Sequence, residues 1–417
     1  MRGLQTLNLT MTRPVKLALL LLGLIGTALL TTGWHFADAL VWASPVRRRV
    51  PATRILDVQG EQALSPESGL PSPASRTAPA PRVTLTRNAA TTRPGVLGLE
   101  WDTPDGLPSF AQLGPVLTHT RRTVVRAVRW QEAALSVGQA VRPSTVGLGT
   151  PASRGLPYQD ALVPAPHGPM PAWLVPGRPD GAVADTDWVI VTHGYRGLRQ
   201  DALRVLPTFA RLGLSSLTIT YRNAHGAPRT PQGVYRLSAE EWEDLEAAVQ
   251  FAQTHGARRI VLMGFSMGGG ITLAFLRYSA LAPRIAGVVL DSPPLEWRSL
   301  IRHFARRYYV RPFARLVEYL TVLKSGQDFD AIDHHSVMDQ FQTPMLLFHG
   351  SADRTVPVAH VERFARARPD IVEYHRVEGA EHIRPWNMNP EWYEATLTRF
   401  LRQVLTANGA DGSRHVG

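Results

Sequence analysis

The spacing of apolar residues changes several times along this chain, and each change predicts a different kind of segment. From Leu17 to Leu30 no charge interrupts the apolar run; Arg2, Arg13 and Lys16 precede it, and Trp34, Phe36, Leu40, Val41 and Trp42 follow. Taken as 17–36, behind a basic segment 1–16, it approaches the ~20 residues a helix needs to cross hydrocarbon. The tryptophans suit a membrane interface. Over 44–94 the pattern dissolves into Pro, Ser, Thr, Ala and Arg, as in Pro71-Ser72-Pro73 and Pro79-Ala80-Pro81. That composition predicts a flexible linker, with one short strand candidate at 83–86. Alternation returns over 95–157, in Gly98-Leu99-Glu100-Trp101 before a Pro-Asp-Gly turn and again in 122–130. A small β-rich extension is expected there.

From residue 158 onward, apolar runs of strand length alternate with helical spacing. Strands are expected at 158–163, 172–175, 188–192, 216–220, 260–265, 285–290, 345–348 and 371–377. Helices are expected at 203–212, 358–366 and 390–405, and one opens at the capping box Ser238-Ala239-Glu240-Glu241 and stops at Gly256. The 188–192 run is apolar throughout, as in strands buried on both faces. Such alternation over more than 200 residues predicts an α/β fold with a mostly parallel, doubly wound sheet. A domain 158–405 follows, with a helical cap insertion at 293–342 and a disordered tail at 406–417.

Composition removes several alternatives. The formal charge is +11, but residues 1–95 hold Lys16 and ten arginines against four acids, leaving about +4 for the remainder. A nucleic-acid-binding domain is not expected from that distribution. Zero cysteines exclude disulfides, thiolate metal sites and a cysteine nucleophile.

Candidate chemistry centres on Gly264-Phe265-Ser266-Met267-Gly268. A β-branched run ends in this motif and a helical pattern follows, so Ser266 sits on a sharp strand-to-helix turn that the glycines permit. A serine hydroxyl needs a base, and the base needs an orienting acid. In such sheets active residues gather at the carboxyl ends of strands. His382 and Asp353 occupy those positions, in the chain order Ser, Asp, His. The backbone N–H groups of Met267 and Tyr195 are the candidate oxyanion donors. Asp291 rivals Asp353 but is expected to serve its own loop, and His193 to shape the loop before Tyr195. Asp333-His334-His335 lacks evident further ligands, and no metal is expected there.

With His193-Gly194, Gly264-Phe265-Ser266-Met267-Gly268, Gly350-Ser351-Ala352-Asp353 and Gly379-Ala380-Glu381-His382, residues 158–405 resemble the α/β-hydrolase superfamily. Tyr221-Arg222-Asn223 and Glu241-Trp242-Glu243-Asp244-Leu245 resemble a membrane-anchored bacterial subgroup of it. The resemblance implies acyl hydrolysis without metal or organic cofactor, with an ester-cleaving, esterase- or lipase-like activity expected. A peptidase or amidase, and a catalytically idle binding module, are the alternatives. A small-molecule or lipid ester is the expected partner, with the membrane engaged through the N-terminal helix.

In the cap, Arg298, Arg302 and Arg306 recur at helical spacing, as do Arg307, Arg311 and Arg315, opposite Leu300, Ile301, Phe304 and Tyr308. A solvated amphipathic helix is the plain expectation; contact with anionic headgroups or an acidic substrate is the sharper one. At the N-terminus, Ala37-Asp38-Ala39 makes a poor signal-peptide cleavage site. A single-pass anchor is therefore expected, with secretion after cleavage as the alternative. The basic flank before the helix argues for the N-terminus inside and an extracytoplasmic catalytic domain, although Arg47, Arg48 and Arg49 lie not far beyond it.

Overall fold

The structure, a computed structural model, describes residues 13–42, 53–60, 81–103, 106, 108–147, 149–177, 186–307 and 314–407. Helix α1 (Arg13–Val41) is the first element. Its 29 residues correspond to about 44 Å at 1.5 Å per residue. The helix is long and apolar enough to cross a membrane. It continues past the expected end at 36, and there its character changes. Leu17 to Leu24 are largely exposed, whereas Ala37 and Val41 are fully buried.

Six strands then close into a barrel in the order β1-β2-β5-β4-β3-β6. They are β1 (Thr53–Gln59), β2 (Arg82–Thr86), β3 (Leu97–Asp102), β4 (Pro108–His119), β5 (Thr123–Gln131) and β6 (Ala140–Ser144). Inward positions carry Ile55, Val83, Leu85, Leu99, Trp101 and Val128. The linker expected over 44–94 is corrected here, because β1 and β2 both lie inside it. Residues 61–80, where its prolines concentrate, lie outside the described residues. Arg126 occupies an inward position between Val124 and Val128. Its guanidinium donates to the carbonyls of Thr91 (3.0 Å), Gly95 (2.9 Å) and Gly114 (2.7 Å). Burial lowers its pKa to about 10.

The second body is a sheet of eight strands in the order β14-β13-β12-β11-β9-β10-β8-β7. A hairpin of β7 (Gln159–Ala165) and β8 (Gly168–Val175) forms its antiparallel edge. The parallel part comprises β9 (Asp187–Thr192), β10 (Ser215–Ile219), β11 (Arg259–Phe265), β12 (Ile285–Asp291), β13 (Met345–Gly350) and β14 (Val372–Val377). Its central strands are buried along nearly their whole length, since helices cover both faces. The helices are α2 (Leu206–Arg211), α3 (Trp242–Thr254), α4 (Met267–Tyr278), α5 (Trp297–Arg307), α6 (Ala314–Ser325), α7 (Val358–Ala367), α8 (Pro385–Met388) and α9 (Pro390–Ala407). Of the helix expected at 203–212, Leu206–Arg211 is α-helical, while its first two residues belong to a 3-10 turn over Arg199–Arg204. Helix α3 starts at Trp242, not at Ser238. The Glu241 carboxylate does accept the Ser238 N–H at 2.8 Å, but the Ser238 hydroxyl turns to the Leu237 carbonyl. Only half of the capping box forms. Helix α9 reaches Ala407, and the expected tail beyond it lies outside the described residues.

The cap insertion contributes α5 and α6, and α6 packs against the end of α1. A Cβ on Gly33 would stand 3.0 Å from Leu320 Cδ1, so the missing side chain allows the two helices to approach closely. The barrel docks beside the carboxyl end of the sheet. Val96 N–H donates to the Asn387 carbonyl at 2.6 Å, and Asn387 Nδ2 returns bonds to the Val96 and Thr145 carbonyls.

Candidate active site

Ser266 joins β11 to α4 with φ 49° and ψ −119°, a region L-residues rarely adopt. Holding a residue there costs ~1–3 kcal/mol and persists only where the surroundings over-determine it. Here the Ser266 N–H donates to the Asp291 carbonyl at 2.8 Å, tying the turn to the end of β12. Gly264 and Gly268 are required by close approach: a Cβ on the first would collide with the Gly268 backbone, and on the second with the Thr192 carbonyl.

The three side chains expected to work together lie within hydrogen-bond reach. His382 Nε2 is 2.8 Å from Ser266 Oγ, and His382 Nδ1 is 2.7 Å from Asp353 Oδ2. Asp353 is fixed from its other oxygen, which accepts the N–H groups of Thr355 (2.7 Å) and Val356 (2.9 Å). Burial works to raise the Asp353 pKa, but the hydrogen bond and charge of His382 bring it below the usual carboxylate value. An ionised carboxylate holds the Nδ1–H tautomer, which turns the Nε2 lone pair toward the serine. The two residues expected to supply oxyanion donors lie on the segments next to Ser266. Met267 is the first residue of α4, and Gly194 precedes Tyr195 on the loop after β9. A Cβ on Gly194 would lie 3.1 Å from Ser266 Cβ, a measure of how tightly that loop approaches.

The remaining candidates take supporting positions. His193 stacks on Tyr221 with ring centroids 4.5 Å apart, its Nδ1 is 2.9 Å from the Gly194 carbonyl, and burial lowers its pKa. The Tyr221 hydroxyl donates to the same carbonyl at 2.8 Å. Asp291 does not reach His382 by hydrogen bond. It accepts from Ser292 Oγ (3.0 Å) and Tyr393 OH (3.1 Å), and burial raises its pKa to about 6. Burial also holds His334 and His335 neutral, with pKa values lowered to about 3 and about 4. Among the described residues no group of three or more His, Cys, Asp or Glu could hold a metal ion.

The two motifs quoted for the membrane-anchored subgroup meet in space. Arg222 Nε donates to Asp244 Oδ2 and Nη2 to Asp244 Oδ1, both at 2.9 Å, while Nη2 reaches Glu243 at 2.8 Å. This buried ion pair braces the strand end that carries Tyr221, and through it the Gly194 carbonyl.

Above Ser266 lies a cavity of about 530 Å³ with mostly apolar walls. The cap supplies Leu300, Ile301, Phe304 and Val317, and α1 supplies Phe36, Ala39 and Leu40. The sequence alone did not reveal the contribution of α1. Phe36 and Leu40 follow helical spacing after the apolar run, but a membrane exit shows the same signal. The arginine pattern of the cap divides as well. Arg298 pairs with Glu318 at 2.7 Å and with Asp330, so its charge is spent within the cap. Arg302, Arg306, Arg307 and Arg315 are exposed, while Tyr308 and Arg311 lie outside the described residues. On the other side of His382 a smaller, polar cleft of about 250 Å³ is lined by Arg93, Arg354, Glu381 and Arg384.

Known proteins match the two bodies separately. Residues 230–408 match the model of the prolyl oligopeptidase family, a span that holds Ser266, Asp353 and His382. Residues 74–144 match a domain of unknown function, DUF8805, and cover five of the barrel strands. An esterase of Pyrococcus furiosus, Pf2001, superposes with a TM-score of 0.51 at 21% identity, over 63% of this chain and 96% of that one. The uncharacterized protein YqkD of Bacillus subtilis is 22% identical over 220 residues, 51% of this chain and 70% of the relative. An uncharacterized protein of Mycobacterium tuberculosis is 27% identical over 223 residues, 52% and 70% of the two chains. The second body thus has the α/β-hydrolase fold, and the family match supports a serine hydrolase of that fold.

Proposed function

We propose that this protein is a serine hydrolase that cleaves carboxylic esters through an acyl-enzyme on Ser266. The observation that carries the reading is His382, hydrogen-bonded to Ser266 Oγ through one ring nitrogen and to Asp353 through the other. Ser266 Oγ attacks the ester carbonyl as His382 takes the hydroxyl proton. The N–H groups of Met267 and Tyr195 stabilise the negative charge on the carbonyl oxygen. The carbon–oxygen bond to the alcohol then breaks, and the alcohol leaves with the proton from His382. Water, deprotonated by His382, attacks the acyl-enzyme, releases the acid and restores the serine.

The apolar cavity beside Ser266 supports an ester with an aliphatic acyl group over a peptide, whose backbone would bury polar groups without partners there. The match to the prolyl oligopeptidase family favours the second reading, a peptidase using the same residues. A panel of p-nitrophenyl esters beside peptide anilides divides the two. Turnover of the esters alone supports the first reading, and faster turnover of the anilides supports the second.

Retention of α1 as a single-pass membrane anchor, with an extracytoplasmic catalytic body, is part of the same proposal. Exposed leucines from Leu17 to Leu24 support the anchor. Cleavage near Ala37-Asp38-Ala39 would sever a helix whose Ala37 and Val41 are buried in the catalytic body.

A further inference from the structure

We propose that the last turns of α1 form one wall of the acyl-binding site, and that this site takes the long aliphatic chain of a membrane lipid ester. The proposal rests on the serine-hydrolase reading and names the substrate class for that same site.

The first observation is the cavity itself. Its volume of about 530 Å³ lies within the ~300–1,000 Å³ usual for ligand sites. Phe36, Ala39 and Leu40 line it together with Leu300, Phe304 and Val317, and Ser266 is part of the same lining. Few polar groups are present, so the cavity offers little to a charged or strongly hydrogen-bonding acyl group and much to a hydrocarbon chain.

The second observation is that the helix end is built into the catalytic body. Lys324 pairs with Asp38, and its Nζ sits 3.6 Å from the ring centroid of Trp34. Tyr195 OH donates to the Ala39 carbonyl, and Arg196 Nη2 to the Trp42 carbonyl, both at 2.8 Å. Tyr235 N–H donates to the Val41 carbonyl at 2.7 Å. A tether joined only through its chain would have none of these bonds.

The third observation is the apolar surface exposed on the two helices that meet at the cavity. The same helix exposes Leu17, Leu20, Leu22 and Leu24 at 60–63% upstream of its docked end. The adjoining α6 exposes Tyr319 and Leu323 at 63% and 61%. Large exposed apolar patches mark interaction sites, and these residues sit on the two helices that supply Phe36, Leu40 and Val317 to the cavity.

The experiment uses the full chain in lipid nanodiscs. The kcat/KM values for p-nitrophenyl acetate, octanoate and palmitate are compared among wild type, Ala39→Phe, Phe36→Ala and the membrane-facing control Leu22→Phe. Labelling by a fluorophosphonate reports which variants hold a folded, reactive serine. The proposal expects the palmitate-to-acetate ratio to fall at least tenfold in Ala39→Phe, to change at least threefold in Phe36→Ala, and to keep its wild-type value in Leu22→Phe. If Ala39→Phe fails to label, Phe36→Ala decides. Wild-type ratios in both cavity variants, with labelling intact, would overturn the proposal while leaving the hydrolase reading standing. Absence of labelling and turnover in wild type would overturn both.

Discussion

The Tyr195 hydroxyl donates a 2.8 Å hydrogen bond to the Ala39 carbonyl. That bond joins the loop after β9 to the last turn of the N-terminal helix. Burial raises the Tyr195 pKa to about 12, so the hydroxyl remains a donor throughout the neutral range. Tyr195→Phe removes the bond and leaves the backbone N–H in place. The expected cost is about 1 kcal/mol of stability, seen as a lower thermal midpoint, with labelling of Ser266 retained. Loss of labelling would mean that the hydroxyl, and not the backbone, serves the reaction.

Asp353→Asn keeps an oxygen to accept the Thr355 and Val356 N–H groups but removes the charge that orients His382. The expected fall in kcat is about 10⁴-fold, with a lower unfolding midpoint at neutral pH, where the ionised carboxylate stabilises the fold. Ester turnover together with thermal unfolding of the same sample checks both parts. Because the folded-state pKa of Asp353 is lowered, its contribution to stability is present above the unfolded value and is lost as pH falls through the folded one.

Asp291 acts with the opposite sign. Its folded pKa of about 6 exceeds the unfolded value of 3.8, so between these values the folded state holds more protons. Stability contributed by the protonated carboxyl is fully present below the unfolded value and is lost as pH rises through about 6. Asp291→Asn should flatten the fall in unfolding free energy between pH 4 and pH 7 by about 3 kcal/mol, an order-of-magnitude figure from the shift. Urea unfolding across that range measures the slope. An unchanged slope would remove Asp291 as its source.

Arg222 tests the brace behind Tyr221 and the loop after β9. Arg222→Met leaves Asp244 buried without its partner, which costs about 3–5 kcal/mol where a buried ion pair is broken. Urea unfolding should show that loss. The double variant Arg222→Met/Asp244→Leu should recover much of it, since it buries no uncompensated charge.

How much was legible beforehand depended on whether the deciding contacts were local. The turn at Ser266 needs Gly264 and Gly268 within a few residues, so the motif carried its own geometry. The positions of Asp353 and His382 followed from counting strand ends, because parallel sheets collect such groups at one edge. The barrel was harder. Its β1 stands before a proline-rich stretch that hid its alternation, and β5 points the charged Arg126 inward, against the usual pattern. The docked end of α1 was hidden for another reason. Phe36, Leu40 and Val41 look like a membrane exit, and only contacts with the distant Lys324, Tyr195 and Tyr235 distinguish a built-in helix end. Arg298 shares the helical spacing of Arg302 and Arg306, and that spacing cannot see its partners Glu318 and Asp330.

Nucleophilic attack by Ser266, activated by His382, is open to direct chemical test. Its most direct measurement is intact-mass and peptide mapping after reaction with a fluorophosphonate, on wild type, Ser266→Ala and His382→Ala. The account predicts a single adduct on the Ser266 peptide in wild type, none in Ser266→Ala, and labelling slowed at least a hundredfold in His382→Ala. An adduct of equal yield in Ser266→Ala, or one mapped to another residue, would contradict it.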